Sequence, residues 1–328
     1  MTKLRVADLF CGLGSFHRAA KALGHEVVFA ADLDPRVREV YRETHGLEPA
    51  GDIGTVDWGA VPDFDVLCAG PPCQSFSTAG RRGGLGDARG DLILKIADVL
   101  RAKRPRWFVV ENVPGLVTID AGEAFRTVLR TYEDVGYRVK WAILRSHEHG
   151  LPLFRRRVFV VGSRDGEPWT PPPPMPFASR PTLSEALGRP FKARISRSPK
   201  TTYNSTATDK RQWARLALED GLSYCLTADD VQRLMGWGPD EIEWGRWSSR
   251  AARIRMLGNS IPTCLSHAVL AGLGVEPVEG AGRAEDEGGV GPELEGDGAV
   301  PLGELELDGG GVGAVEQELR ADLLEQSA

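Results

Sequence analysis

Through the first 163 residues, short apolar runs alternate with helix-forming stretches, and this alternation constrains the fold more than any other feature of the chain. Residues 4–10, 26–31, 64–69, 107–110 and 157–162 read as strands, and 16–23, 92–102 and 123–135 as helices. Strands separated by helices of this length are joined by parallel crossovers, which predicts an α/β fold built on a doubly wound, mostly parallel sheet. Ligands of such sheets sit beyond the carboxyl ends of the strands. Asp8, Asp32, Cys73 and Glu111 all fall at or just past those ends.

Charge divides the chain further. The net charge of −6 averages two unlike parts. Residues 276–328 hold 15 acids against 2 bases, a net of −13, which leaves the body 1–275 at +7. Nine Lys/Arg against two acids in 177–215 account for that whole positive excess. With 12 glycines among its 53 residues, the tail is expected to be disordered, apart from a short amphipathic helix at 315–324. Six prolines within 168–176 read as a stiff connector. These breaks predict a catalytic and cofactor-binding domain from 1–163 plus 250–275, a small domain at 164–249, and the tail at 276–328. No apolar run approaches the roughly 18 residues of a membrane span, and Asp8 interrupts the start where a signal peptide needs apolar residues. The expectation is a soluble, cytoplasmic protein. Five scattered cysteines without a Cys-x-x-Cys pair predict neither a disulfide framework nor a structural zinc site.

Four motifs carry chemistry. In Asp8-Leu9-Phe10-Cys11-Gly12-Leu13-Gly14, a strand enters a Gly-x-Gly turn ahead of a helix, so a cofactor can approach the backbone closely. Asp32, ending the second strand, suits a ribose, and Asp52 with Ile53 could meet an adenine. Position 17 is His, so the Gly-x-Gly-x-x-Gly spacing of nicotinamide binders is absent and an adenosine without pyrophosphate fits better. In Gly70-Pro71-Pro72-Cys73, two prolines present the cysteine out of the sheet, where a thiolate can act as nucleophile. The glycine-rich loop that follows carries Arg81, Arg82 and Arg89 and suits a phosphate backbone. Glu111 ends an apolar strand and could serve as an acid toward a substrate ring. In Arg155-Arg156-Arg157, alternation puts 155 and 157 on one face of a strand and 156 on the other.

Together, Asp-Leu-Phe-x-Gly-x-Gly, Gly70-Pro71-Pro72-Cys73-Gln74-Ser75-Phe76-Ser77, Glu111-Asn112-Val113, the arginines and Gly258-Asn259-Ser260-Ile261-Pro262 resemble the DNA (cytosine-5) methyltransferase family in kind and order. The resemblance covers 4–163 and roughly 225–272. It implies a Rossmann-like S-adenosylmethionine-dependent fold with a small target-recognition domain, methylating carbon-5 of cytosine in double-stranded DNA. Carried over by position, it implies S-adenosylmethionine contacts at Phe10, Gly12, Gly14, Asp32, Asp52, Ile53 and Asn259. It also implies Cys73 as nucleophile, Glu111 gripping the base, and Arg155 and Arg157 as supporting cations. DNA contacts are expected at Arg81, Arg82, Arg89, Arg194, Arg197 and Lys200, with base readout from Thr201, Thr202, Tyr203, Asn204 or Trp213. The implied protein is a metal-free monomer, bacterial or phage-encoded; a cognate restriction endonuclease is a partner that the resemblance allows.

Three departures stand out. Leu153-Phe154 stands where the family has Gln-x before Arg155, Met235 stands where Gln is usual, and the span between the matched blocks is about 60 residues. The rival readings are a tRNA cytosine-5 methyltransferase, whose late Cys-Phe-Thr is absent here, a non-catalytic DNA-binding relative, and a hydride-transferring oxidoreductase. If the −13 tail competes with DNA for the basic body, truncation after Val275 should tighten non-specific DNA binding at low salt. Unchanged affinity in a fluorescence-anisotropy titration would remove the competition idea.

Overall fold

The computed structural model describes residues 3–72, 91–166, 169–199 and 214–273, except the side chains of residues 91, 93 and 94. Cys73, Arg81, Arg82, Arg89, Lys200, Thr201, Thr202, Tyr203, Asn204, Trp213 and the whole acidic tail lie outside the described residues. In chain order the strands are β1 (Arg5–Leu9), β2 (Glu26–Ala31), β3 (Val66–Ala69), β4 (Trp107–Asn112), β5 (Arg138–Arg145), β6 (Leu153–Phe154), β7 (Arg156–Ser163), β8 (Ser196–Arg197), β9 (Arg215–Ala217) and β10 (Ser223–Cys225). The α-helices are α1 (Ser15–Ala22), α2 (Pro35–His45), α3 (Asp91–Lys103), α4 (Gly115–Thr118), α5 (Glu123–Glu133), α6 (Leu183–Leu187), α7 (Ala228–Leu234), α8 (Arg250–Asn259) and α9 (Thr263–Ala271).

Six strands form one sheet in the order β2-β1-β3-β4-β7-β5. β1 pairs in parallel with β2 and β3, and β3 with β4, whereas β7 runs antiparallel to both its neighbours. The chain leaves β1 toward one side for β2 and returns on the other side for β3. A crevice therefore opens beyond the ends of β1 and β3, where the winding reverses.

Alternation along the strands separates two apolar layers. Ala7, Leu9, Leu67, Ala69, Phe108, Val110, Val158 and Val160 meet Ile96, Leu100, Val128 and Tyr132 on one face. Val6, Val66, Cys68, Trp107, Val109, Phe159 and Val161 meet Phe16, Ala20, Leu265 and Val269 on the other. Helices α3 and α5 thus cover the first face and α1 and α9 the second. A third cluster joins Leu13 and Val40 to Leu183, Leu187, Val231, Leu234, Met235, Ile254 and Leu257. Apolar packing therefore runs across both expected boundaries of the 164–249 segment.

Among the elements not predicted from the sequence are α2 and β5. α2 begins at Asp34, whose carboxylate accepts the Arg36 N–H at 2.9 Å, continues with Pro35 in its first turn, and ends at Gly46 with φ 72°. β5 is a half-exposed edge strand, and Arg138, Lys140 and Arg145 on it obscure the apolar alternation. β7 therefore follows a strand rather than a helix, which is why it breaks the parallel pattern. Among the described residues no helix is long and apolar enough to cross a membrane.

Where β7 passes β4, Gly162 sits opposite Phe108, and a Cβ on it would lie 2.0 Å from the ring. Gly162→Ala should cost about 3 kcal/mol of unfolding free energy through overpacking. Urea unfolding checks this, and a loss below about 1 kcal/mol would show that the ring can move aside.

Candidate active site

Beyond β1 the backbone makes a left-handed turn with φ 54° at Phe10, 56° at Gly12 and 80° at Gly14. Gly14 is doubly constrained, because a Cβ there would also lie 2.2 Å from His45 Nε2. His45 Nε2 donates to the Leu13 carbonyl at 2.9 Å, and its ring stacks on His17 with centroids 4.2 Å apart. His17 Nδ1 in turn lies 2.7 Å from the Tyr41 hydroxyl. Burial, with His45 and Lys21 nearby, pushes His17 down to about 3, and burial also lowers His45. The turn thus rests on a neutral aromatic support. In the sequence, position 17 registered only as a missing glycine.

Asp32 closes the turn from the side. Its two carboxylate oxygens accept the Gly12 N–H at 3.0 Å and the Asp34 N–H at 2.9 Å, and burial raises its pKa. Leu33 follows with 70% of its surface exposed at the lip of the crevice, a residue that the sequence reading passed over. The Asp32 N–H donates to the Ala50 carbonyl at 3.0 Å, which brings Gly51 and Asp52 alongside. The Asp52 carboxylate accepts the Gly54 N–H at 2.8 Å, whereas Ile53 is 92% buried, within the core cluster of Val61 and Phe64. Asp8 is not a crevice residue. It lies inside β1, and its buried carboxyl accepts the His17 backbone N–H, with burial raising its pKa well above the carboxylate range.

Glu111 is the second-last residue of β4 and lies on the α1/α9 face of the sheet. The residue is 7% exposed, and a Cβ on Gly70 would lie 3.6 Å from its Oε2, 3.7 Å from Ile261 and 3.9 Å from the Phe10 carbonyl. Gly70, Glu111, Phe10 and Ile261 therefore converge three residues before Cys73, which itself lies outside the described residues. Arg157 Nε pairs with Glu111 Oε1 at 2.5 Å. Burial raises the Glu111 pKa, and the charges of Arg157 and Arg155 only partly offset that rise. Asn112 Nδ2 donates to the Pro71 carbonyl at 3.4 Å, tying the Pro-Pro turn to β4.

β7 begins at Arg156, so Arg155 lies one residue before it, where strand alternation alone does not fix its direction. Arg155 donates instead to the Gly258 and Ser260 carbonyls at 2.7 and 2.9 Å. Asn259 stands exposed between those two residues at the end of α8. Ser15 Oγ donates to the Ile261 carbonyl at 2.7 Å, so this C-terminal corner is stitched to the start of α1. Of the expected DNA contacts, Arg197 is exposed on β8. The guanidinium of Arg194 lies 4.8 Å above the Phe177 ring and donates to the Arg180 carbonyl at 2.8 Å. Among the described residues no group of three His, Cys, Asp or Glu side chains could hold a metal ion.

The sequence profile described as C-5 cytosine-specific DNA methylase matches residues 4–224. Type II methyltransferase M.NgoBI of Neisseria gonorrhoeae is 40% identical over 171 residues, 52% of this chain and 54% of that protein. Type II methyltransferase M.HhaI of Haemophilus parahaemolyticus is 37% identical over 165 residues, 50% of each protein. The chain spans about half the length of these curated relatives. Among solved structures, S. pombe Dnmt2 methyltransferase superposes with a TM-score of 0.64 at 22% identity, covering 84% of this chain and 100% of that one. Entamoeba histolytica methyltransferase EhMeth gives 0.67 at 13% identity, covering 82% and 97%, and likeness at this level speaks for the fold alone. With a profile running from β1 into β10 and enclosing the crevice, Glu111 and both arginines, the chain belongs to the C-5 cytosine-specific DNA methylase family.

Proposed function

We propose that this protein transfers a methyl group from S-adenosylmethionine to carbon-5 of cytosine in double-stranded DNA. The observation that carries this reading is the buried Glu111–Arg157 pair set against Gly70, at the entrance to Pro71-Pro72-Cys73. The crevice residues suit the cofactor. The left-handed turn at Phe10, Gly12 and Gly14 would let a ligand approach the backbone, the Asp32 carboxylate retains lone pairs for ribose hydroxyls, and exposed Leu33 and Asp52 would flank an adenine. Asn259 would close the far side. When bound, S-adenosylmethionine supplies an electrophilic methyl group.

The chain's residues would make the base reactive. Carbon-5 of cytosine is too weak a nucleophile unaided, so the Cys73 thiolate adds to carbon-6 while the Glu111 carboxyl passes its proton to ring nitrogen 3. The product is a neutral enamine whose carbon-5 can attack. Arg157, hydrogen-bonded to Glu111, stabilises the carboxylate left behind. Once methylated, the ring gives up the carbon-5 proton to a water molecule, expels the thiolate and returns the nitrogen proton to Glu111. None of this can occur on a stacked base, so the nucleotide must be flipped out. Residues 164–249 would read the target, with the cations of 177–199 facing the phosphates.

Tritium transfer from labelled cofactor into duplex DNA, and none into tRNA, is the expected result; label in tRNA alone would replace the DNA reading. Cys73→Ala should lose all but about a thousandth of the turnover and keep its cofactor affinity by calorimetry. For Arg157→Met the expectation concerns stability. The raised pKa of buried Glu111 means that the folded state binds more protons than the unfolded one above about pH 4.3, so stability falls as pH rises through that window. Without Arg157 the window extends further upward. The variant should be about 3 kcal/mol less stable than wild type near pH 8, a gap that narrows toward about pH 4 in urea unfolding. A gap independent of pH would show that Arg157 acts only through packing.

A further inference from the structure

Arg155 and Arg157 are two residues apart, yet their hydrogen bonds go to different places. Arg157 turns to Glu111. Arg155 is 3% exposed, and its backbone is held first. The Ser146 N–H and Oγ both donate to its carbonyl, at 3.0 and 2.8 Å, from the carboxyl end of β5. Its guanidinium then spreads across two further segments. Nη2 donates to Gly258 O at 2.7 Å and Ser260 O at 2.9 Å; Nη1 donates to Ser198 Oγ at 2.8 Å and Pro199 O at 3.4 Å. The first pair of acceptors brackets Asn259 on either side. The second lies immediately before residue 200, within the basic stretch 177–215.

We infer that Arg155 is a positioning residue, a clasp that fixes the Asn259 corner of the cofactor crevice and the run into the basic segment against the same turn. It thereby couples cofactor binding to DNA binding. The shape of the side chain supports this reading. A planar fork can serve carbonyls on two segments at once, whereas an ammonium on a flexible stem cannot hold that geometry. Carbonyl and hydroxyl acceptors also fit a structural cation, because they bind a guanidinium without neutralising it. The charge of Arg155 also acts on Glu111, where with Arg157 it partly offsets the rise in carboxyl pKa from burial. The sequence order supports the same conclusion: the clasp joins residues 43 to 105 positions apart, which no local element could hold together.

This inference rests on the reading that the crevice takes S-adenosylmethionine and that the basic face takes DNA. Its test separates the two. S-adenosylmethionine alone is titrated by calorimetry, and a labelled random-sequence duplex by anisotropy, into full-length wild type, Arg155→Lys, Arg155→Met and Ser198→Ala. Folding of each variant is checked by circular dichroism. If wild type binds neither probe, the functional reading fails. If it binds both, the clasp predicts that Arg155→Lys is as defective as Arg155→Met, with both Kd values raised about tenfold or more, because the fork and not the charge is lost. Ser198→Ala, a small change at a half-buried position, should weaken the duplex a few-fold and leave the cofactor Kd unchanged. Wild-type affinities in Arg155→Lys, or a duplex affinity untouched in Ser198→Ala, would overturn the clasp. Should the Arg155 variants fail to fold, the Ser198→Ala result decides alone. A kcat at saturation closer to wild type than the Kd values would mark positioning rather than chemistry.

Discussion

The register between β4 and the reversed strand β7 sets Phe159 opposite Glu111, so Arg157, two residues along the same face, reaches the carboxylate without leaving its own strand. The site depends on this pairing. A carboxyl in so dry a place would cost several kcal/mol to ionise alone, and a neighbouring guanidinium recovers part of that cost. The balance remains on the side of burial, which keeps the proton affinity of Glu111 above that of an ordinary glutamate. A group held between its charged and neutral forms suits reversible protonation of a ring nitrogen better than it suits stability.

The crevice is then completed from the far end of the sequence. Ser15 at the start of α1 donates to the Ile261 carbonyl, and Ser266 of α9 donates back to the Ser15 carbonyl at 3.0 Å. Ile261 reaches within 3.7 Å of the position a Gly70 side chain would take, so a residue from the last described block lines the same space as the first turn. The long-range closure carries an entropy cost set by chain length, and this cost grows only slowly with the number of intervening residues. The α1–α9 apolar contact on the second sheet face, through Phe16, Ala20, Leu265 and Val269, more than offsets it. The first turn and the closing corner are in this sense one packed unit.

This arrangement explains which parts were legible in the sequence. The parallel strands were, because β3 and β4 are buried on both faces and read as unbroken apolar runs. Polar residues directly after such runs, Asp32 and Glu111 among them, stand out in the sequence as well. β5 was not legible, because its edge position lets cations occupy alternate places. The role of Gly14 was visible only in part: its turn conformation could be anticipated, but the His45 ring packed beneath it is brought by α2 from 31 residues away. Arg155 is a related case. Strand alternation decides side-chain direction only inside a strand, and Arg155 lies one residue outside.

The basic segment raises a last point about what charge does here. Within 177–199, Arg194 lies over Phe177, Arg189 lies 4.7 Å over Tyr224, and Arg180 donates to the Met175 carbonyl at 2.9 Å. Aromatic faces hold Arg189 and Arg194 in fixed places without neutralising them, whereas Arg180 is partly offset by Glu148 at 3.9 Å. Such a surface attracts a phosphate backbone at long range and in a defined orientation, at little further cost in side-chain entropy. It discriminates little among sequences, because phosphates are alike on every duplex. If the crevice takes a cytosine of duplex DNA, as proposed, attraction and readout must be carried by different side chains, and only changes in the second set should alter which cytosine enters.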